Sequence, residues 1–143
     1  MHEMEMLIKK GKIKVVDLPA KREEIEKNQT LLLKDDLDNV EILLERKRFR
    51  GAYIHAFNAL ERVIDIMLIK KGYKINDRYA RKMAIKEILG VEFLGTYEDL
   101  FDRRKDGMYD TFGVISESDI FTLTEEMIPK LLEKLNIKLQ EKK

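Results

Sequence analysis

The sequence predicts an all-α protein, an up-and-down bundle of four or five helices. Three observations predict it. Only two Pro and seven Gly interrupt 143 residues, so the uninterrupted segments are long. Within those segments the apolar residues return with the 3.6-residue period of a helix. A 44% hydrophobic share with no repeat, low-complexity tract or linker is enough for one core. Residues 1–143 are therefore read as a single domain, with a leader over 1–18 and the bundle over 19–143.

The leader opens with a short helix over 3–9 that Gly11 ends, and "KIKVVDLPA" reads as extended or irregular. Pro19 suits the first turn of a helix, because its missing N–H has no partner there anyway. A long amphipathic helix runs from about Pro19 to Lys47, with Ile25, Leu32, Leu33, Val40, Leu43 and Leu44 as its stripe. From about Arg48 to Lys71, Phe49, Tyr53, Ala56, Leu60, Val63 and Met67 recur in alternating three- and four-residue steps, the seam of a bundle helix. Ala52, Ala56 and Ala59 allow a neighbouring helix close approach. Gly72 is placed for a left-handed C-cap, with Lys70 and Lys71 facing the negative end of the helix dipole.

Asp77 is positioned to cap a shorter helix over roughly 78–89 that stops at Gly90. The next helix is expected over 96–109, with Thr96 as cap and Asp99 as its capping-box partner. Gly113 breaks the chain, and "SESD" opens a last helix over about 117–141. Its stripe is Ile120, Leu123, Met127, Leu131, Leu135 and Leu139. Pro129 lies inside that stripe, which predicts a kink, or a restart near Thr122 and Glu125, a second capping-box pattern.

Composition excludes several function classes. With no Cys there are no disulfides, thiolate metal sites or Cys nucleophiles, and two His (His2 and His55) make a histidine zinc site or a Ser-His-Asp triad improbable. No cofactor and no metal site is expected. Lys+Arg (28) and Asp+Glu (27) nearly cancel, so contact with nucleic acid must come from a local patch. No apolar run approaches the ~20 residues that span a bilayer, and the amino terminus lacks a signal peptide's apolar region, which gives a cytoplasmic expectation without membrane contact. Two Gln, no Cys and abundant Lys, Glu and Ile match a thermophile's composition.

Carboxylate pairs are frequent but lie on polar faces, where solvation explains them. His55, one step off the apolar seam, reads as a boundary histidine reaching a backbone acceptor; Asn58 is similar. Basic clusters occur at "RKRFR" (46–50) and at "KKGYK" followed by "RYARK". They are placed to hold phosphate, with Phe49, Tyr73 or Tyr79 available for stacking. Against this stands the ordinary gathering of cations at helix carboxyl ends.

One stretch is more specific. The leader, the charged helix, the helix "GAYIHAFNALERVIDIMLIKKGY", a short helix, then "LFDRRKDGMYD", "ISESD" and a terminal helix together resemble the HEPN domain family of small prokaryotic helical bundles. That resemblance implies a homodimer, RNA as ligand or substrate, toxin–antitoxin systems and a nucleotidyltransferase partner. Active members carry an Arg and, four to six residues later, a His; the Arg holds the scissile phosphate and the His works on the 2′-hydroxyl. Here Arg104 matches the Arg, Asp106 resembles the Asp of the Arg-Asn-Asp-x-x-Tyr version, and Tyr109 stands where the His would be, after four intervening residues. Arg103 offers a second register.

A phenol near pKa 10 is a poor base at pH 7. The resemblance therefore implies a protein that binds RNA or nucleotide through Arg103, Arg104, Asp106 and Tyr109, and is non-catalytic or weakly active. Two alternatives stand beside it. One is a metal-independent endoribonuclease using Arg104. The other is an interaction module without a ligand site, in which Arg103 or Arg104 pairs with an Asp at a dimer seam.

Overall fold

The computed structural model describes residues 2–109 and 115–135, without the side chains of residues 2 and 104–109. The chain is an all-α bundle. In order come α1 (His2–Lys9), β1 (Ile13–Val15), α2 (Pro19–Glu45), α3 (Phe49–Lys70), β2 (Tyr73–Ile75), α4 (Arg78–Leu89), α5 (Val91–Tyr109), α6 (Glu117–Phe121), a π-helical stretch (Thr122–Met127) and α7 (Ile128–Lys134). The expected Gly113 break and the apolar position Leu139 lie outside the described residues.

Helix α3 is central and packs against α2, α5, α6 and α7. Its buried side chains, among them Tyr53, Phe57, Leu60, Ile64 and Leu68, join Leu33 and Val40 of α2, Ile85 of α4, Tyr97 of α5 and Ile120, Leu123 and Ile128 of the last helix. Burying each large apolar side chain contributes roughly 1.5–3 kcal/mol. Phe57 anchors the α5 side, with its ring centroid 5.6 Å from that of Tyr97 and 6.0 Å from that of Phe101.

The chain ends its helices as local chemistry demands. After α1, Gly11 (φ 74°) lets the Gly11 N–H reach the Ile8 carbonyl and the Lys12 N–H reach the Leu7 carbonyl, a Schellman motif. After α3, Gly72 (φ 94°) is left-handed and its N–H reaches the Ile69 carbonyl at 2.9 Å. Asp77 caps α4, its Oδ1 accepting from the Ala80 N–H at 2.7 Å. At α6, Ser116 and Asp119 cap each other's backbone N–H groups in a capping box.

Four features differ from the sequence reading. First, the stretch of the leader read as extended is a strand that finds its partner in the α3–α4 connection: β1 and β2 pair antiparallel, Ile13 with Ile75 and Val15 with Tyr73. Three-residue strands carry too little alternation to be seen alone. Ile13 is thereby buried in a small second core with Met4, Leu7 and Ala80. Second, α5 starts at Val91, immediately after Gly90 (φ 98°), so Thr96 is no cap. Its Oγ1 instead donates to the Glu92 carbonyl one turn back, at 3.2 Å.

Third, no capping box forms at Thr122, whose Oγ1 donates to the Ser118 carbonyl, and the disturbance expected from Pro129 takes the form of a wider turn. The helix widens to π geometry over Thr122–Met127, and the Ile128 N–H bonds to the Leu123 carbonyl five residues back. Pro129 has no N–H and its ring crowds the carbonyl four residues back, so the wider turn accommodates it. Fourth, the partner of His55 is a carboxylate, not a backbone acceptor: its Nδ1 lies 3.1 Å from Oδ1 of Asp36, a residue only 9% exposed.

Candidate functional site

The predicted residues lie at the carboxyl end of α5. Arg103 is half exposed, and its Nη1 donates to Asp119 Oδ1 at 3.1 Å, so its partner belongs to the capping box of α6 in the same chain. The side chains of Arg104, Asp106 and Tyr109 lie outside the described residues. The backbone of α5 is helical through Tyr109. At ~100° per residue, positions 104 and 109 are therefore about 140° apart around the axis. Positions 105 and 109, in contrast, are one turn apart on one side. Four intervening residues of helix thus separate the Arg and Tyr positions that a shared ligand would have to bridge.

What aims α5 is a buried polar network that sequence reasoning missed. Arg81 of α4 grips Asp65 of α3 with two hydrogen bonds, Nε to Oδ1 at 3.0 Å and Nη2 to Oδ2 at 3.1 Å. Its Nη1 donates to Glu61 Oε2 at 3.2 Å, and the same oxygen accepts from the Tyr97 hydroxyl of α5 at 2.6 Å. Three helices are thereby cross-linked at one point.

Burial raises the Asp65 carboxyl above its ordinary value, against the hydrogen bond and charge of Arg81, which act to lower it. For Arg81, burial disfavours its charge, but Asp65 and Glu61 outweigh that and hold the guanidinium protonated. Burial and the Glu61 carboxylate both push the Tyr97 phenol up, so it stays a donor. Two carboxylates meet one guanidinium here, and the Glu61 charge adds a small push to the rise that burial causes at Asp65. Next to it, Tyr53 donates to the Leu100 carbonyl at 3.0 Å, and burial pushes its phenol up as well.

With Arg81 occupied inward, the remaining cations of α4 face outward. Arg78 places its Cζ 4.4 Å from the centroid of the Phe101 ring, and Lys82 its Nζ 5.5 Å from the same centroid. Among the described residues neither is in an ion pair. Phe101 sits on α5, and positions 104 and 105 follow one turn later on that side. The α4–α5 edge therefore presents two cations seated on an aromatic ring, leading toward Arg104. A signal for this existed in "RYARK" but not its direction: Arg81 and Lys82 are adjacent, and only the fold sends one inward.

The other basic clusters are placed differently. "RKRFR" spans the α2–α3 turn and the first residues of α3, and Lys70 is taken up by Glu26 at 2.8 Å. His55 and Arg62 flank the buried Asp36, Arg62 Nε standing 3.6 Å from its Oδ2, which ties α2 to α3. Among the described residues no group of three or more His, Asp or Glu is gathered as metal ligands, and no helix is long and apolar enough to cross a membrane.

Fold and edge together define an all-helical bundle with a cationic, aromatic-backed seam. Compared with protein-family models, curated proteins and solved structures, the chain finds no match.

Proposed function

We propose that the chain is a HEPN-like bundle that binds RNA or a nucleotide without efficient cleavage, working as a homodimer or beside a nucleotidyltransferase partner in the cytoplasm. The observation that carries this reading is the pair Arg78 and Lys82 on Phe101, free of ion pairs among the described residues. An exposed cation–π contact is worth about 0.5–1 kcal/mol, so a phosphate offering charge-assisted hydrogen bonds readily recruits both cations. The motif stretch supports it from the sequence side: Arg104 supplies a fork for phosphate, and Tyr109 in place of His removes the base suited to neutral pH.

The test is fluorescence anisotropy and gel analysis of purified, metal-free protein with short labelled RNAs. Intact RNA that binds, and binds about tenfold more weakly to Arg78→Ala, Lys82→Ala or Arg104→Ala, is the expected result. Cleavage that vanishes in Arg104→Ala would replace this reading with the endoribonuclease. Absence of binding at high protein concentration would leave the helical interaction module.

A further inference from the structure

We infer that the ligand of this edge is an extended single strand of nucleic acid lying along α4, not a mononucleotide and not a duplex. The inference rests on the binding reading above and names its ligand class.

The edge of α4 beside α5 is the observation. Arg78, Lys82 and Lys86 are spaced four residues apart, and Tyr79 lies beside the first of them. At ~100° per residue these four positions fall within an arc of about 100°, and at ~1.5 Å per residue the three cations span about 12 Å. The opposite side of the helix is committed elsewhere. Ala80 and Ala84 are buried there, and on the flank next to Arg78 lie the buried Ile85 and Arg81, which is locked to Asp65 and Glu61. Tyr79 is 59% exposed, a large aromatic side chain that the packing leaves in solvent.

Cations at about 6 Å intervals along one line match successive phosphates of a strand, and would be redundant for a single phosphate group. An exposed aromatic ring beside such a line gives a base its stacking platform, and every base has a face to stack. A duplex keeps its bases stacked on each other and has no use for Tyr79. The path also has a direction, because it passes Phe101 and reaches the end of α5, where Arg104 stands. The carboxylates of α5 around Phe101, Glu98 one turn before it and Asp102 next to it, form no ion pair with the α4 cations among the described residues. Glu87, the acid of α4 itself, is about 100° away from Lys86 around the axis.

The experiment titrates full-length protein with fluorescein-labelled oligouridylates of two and eight nucleotides, with AMP and an RNA duplex as competitors. The octamer is expected to bind at least tenfold more tightly than the dinucleotide. Lys86→Ala should weaken the octamer several-fold, leave the dinucleotide unchanged, and reduce the slope of log K against log salt by about 0.7, one single-strand phosphate. Tyr79→Ala should weaken the octamer about tenfold. Both positions are exposed on α4, and an unchanged helical circular dichroism spectrum checks that the variants fold. Equal affinity for dinucleotide and octamer, indifference to both substitutions, or preference for the duplex would overturn the inference. In each of those cases loss of binding in Arg78→Ala and Lys82→Ala still upholds the binding reading. If no nucleic acid of any length binds, both fall together.

Discussion

At the scale of single residues, the sharpest consequence belongs to Asp65. Burial raises its carboxyl above the ordinary value even though Arg81 grips it with two hydrogen bonds. The folded state then holds the Asp65 proton more tightly than the unfolded state does. Its contribution to stability is fully present below the unfolded carboxyl value, about 3.9, and is lost as pH rises through the higher folded value. Asp65→Asn removes that descending term, so unfolding free energy measured by urea titration from pH 3 to 7 should fall less, or rise more, with pH than in the parent. An identical pH profile would show that Asp65 ionises as freely in the fold as outside it. Tyr97 needs no such test, because burial and Glu61 keep its phenol protonated and donating.

At the scale of elements, the turn between α2 and α3 carries the one non-glycine residue with positive φ among the described residues, Lys47 at 56°. Its N–H bonds to the Leu44 carbonyl at 3.0 Å, and the Arg48 N–H to the Leu43 carbonyl at 2.8 Å. This is the Schellman motif with a lysine where glycine is usual. A left-handed conformation costs an L-residue roughly 1–2 kcal/mol, part of which glycine returns through the greater freedom of its unfolded chain. Lys47→Gly is therefore expected to stabilise the protein by up to about 1 kcal/mol, read as a higher urea midpoint with unchanged slope. A lower midpoint would mean that the lysine side chain contributes more than its backbone costs. The same local logic made α1, α2, α3 and α4 legible from the sequence: Pro19, Gly11, Gly72, Asp77 and Gly90 act within a turn of themselves. It misplaced the start of α5, because Thr96 satisfies the signature of a cap equally well from inside a helix, by bonding back to Glu92.

At the scale of the whole molecule, the proposed homodimer is open to a direct measurement. Multi-angle light scattering at micromolar concentration should give about twice the 16.9 kDa of the chain. A mass of one chain would remove any site shared between copies, and would require Arg104 and Tyr109, about 140° apart on α5, to act separately. The strands β1 and β2 show why global arrangement exceeds the sequence signal. Residues 13–15 and 73–75 pair only because α2 and α3 fold back as a hairpin between them. The candidate site shows the same gap. "RYARK" and "LFDRRK" each announce cations, but which ones are spent inside and which remain outside depends on a neighbour far along the chain.

The sequence by itself determined the all-α bundle, most helix boundaries and the position of Arg104 and Tyr109 near one helix end, since periodicity and capping act over a few residues. Tertiary structure decided the rest. It turned Arg81 inward to Asp65 and Glu61, seated Arg78 and Lys82 on Phe101, and gave His55 to Asp36. Each of these pairs a residue with a partner on another helix or submits it to the packing of the core. Identity at one position carries no trace of a partner that only chain folding brings into contact.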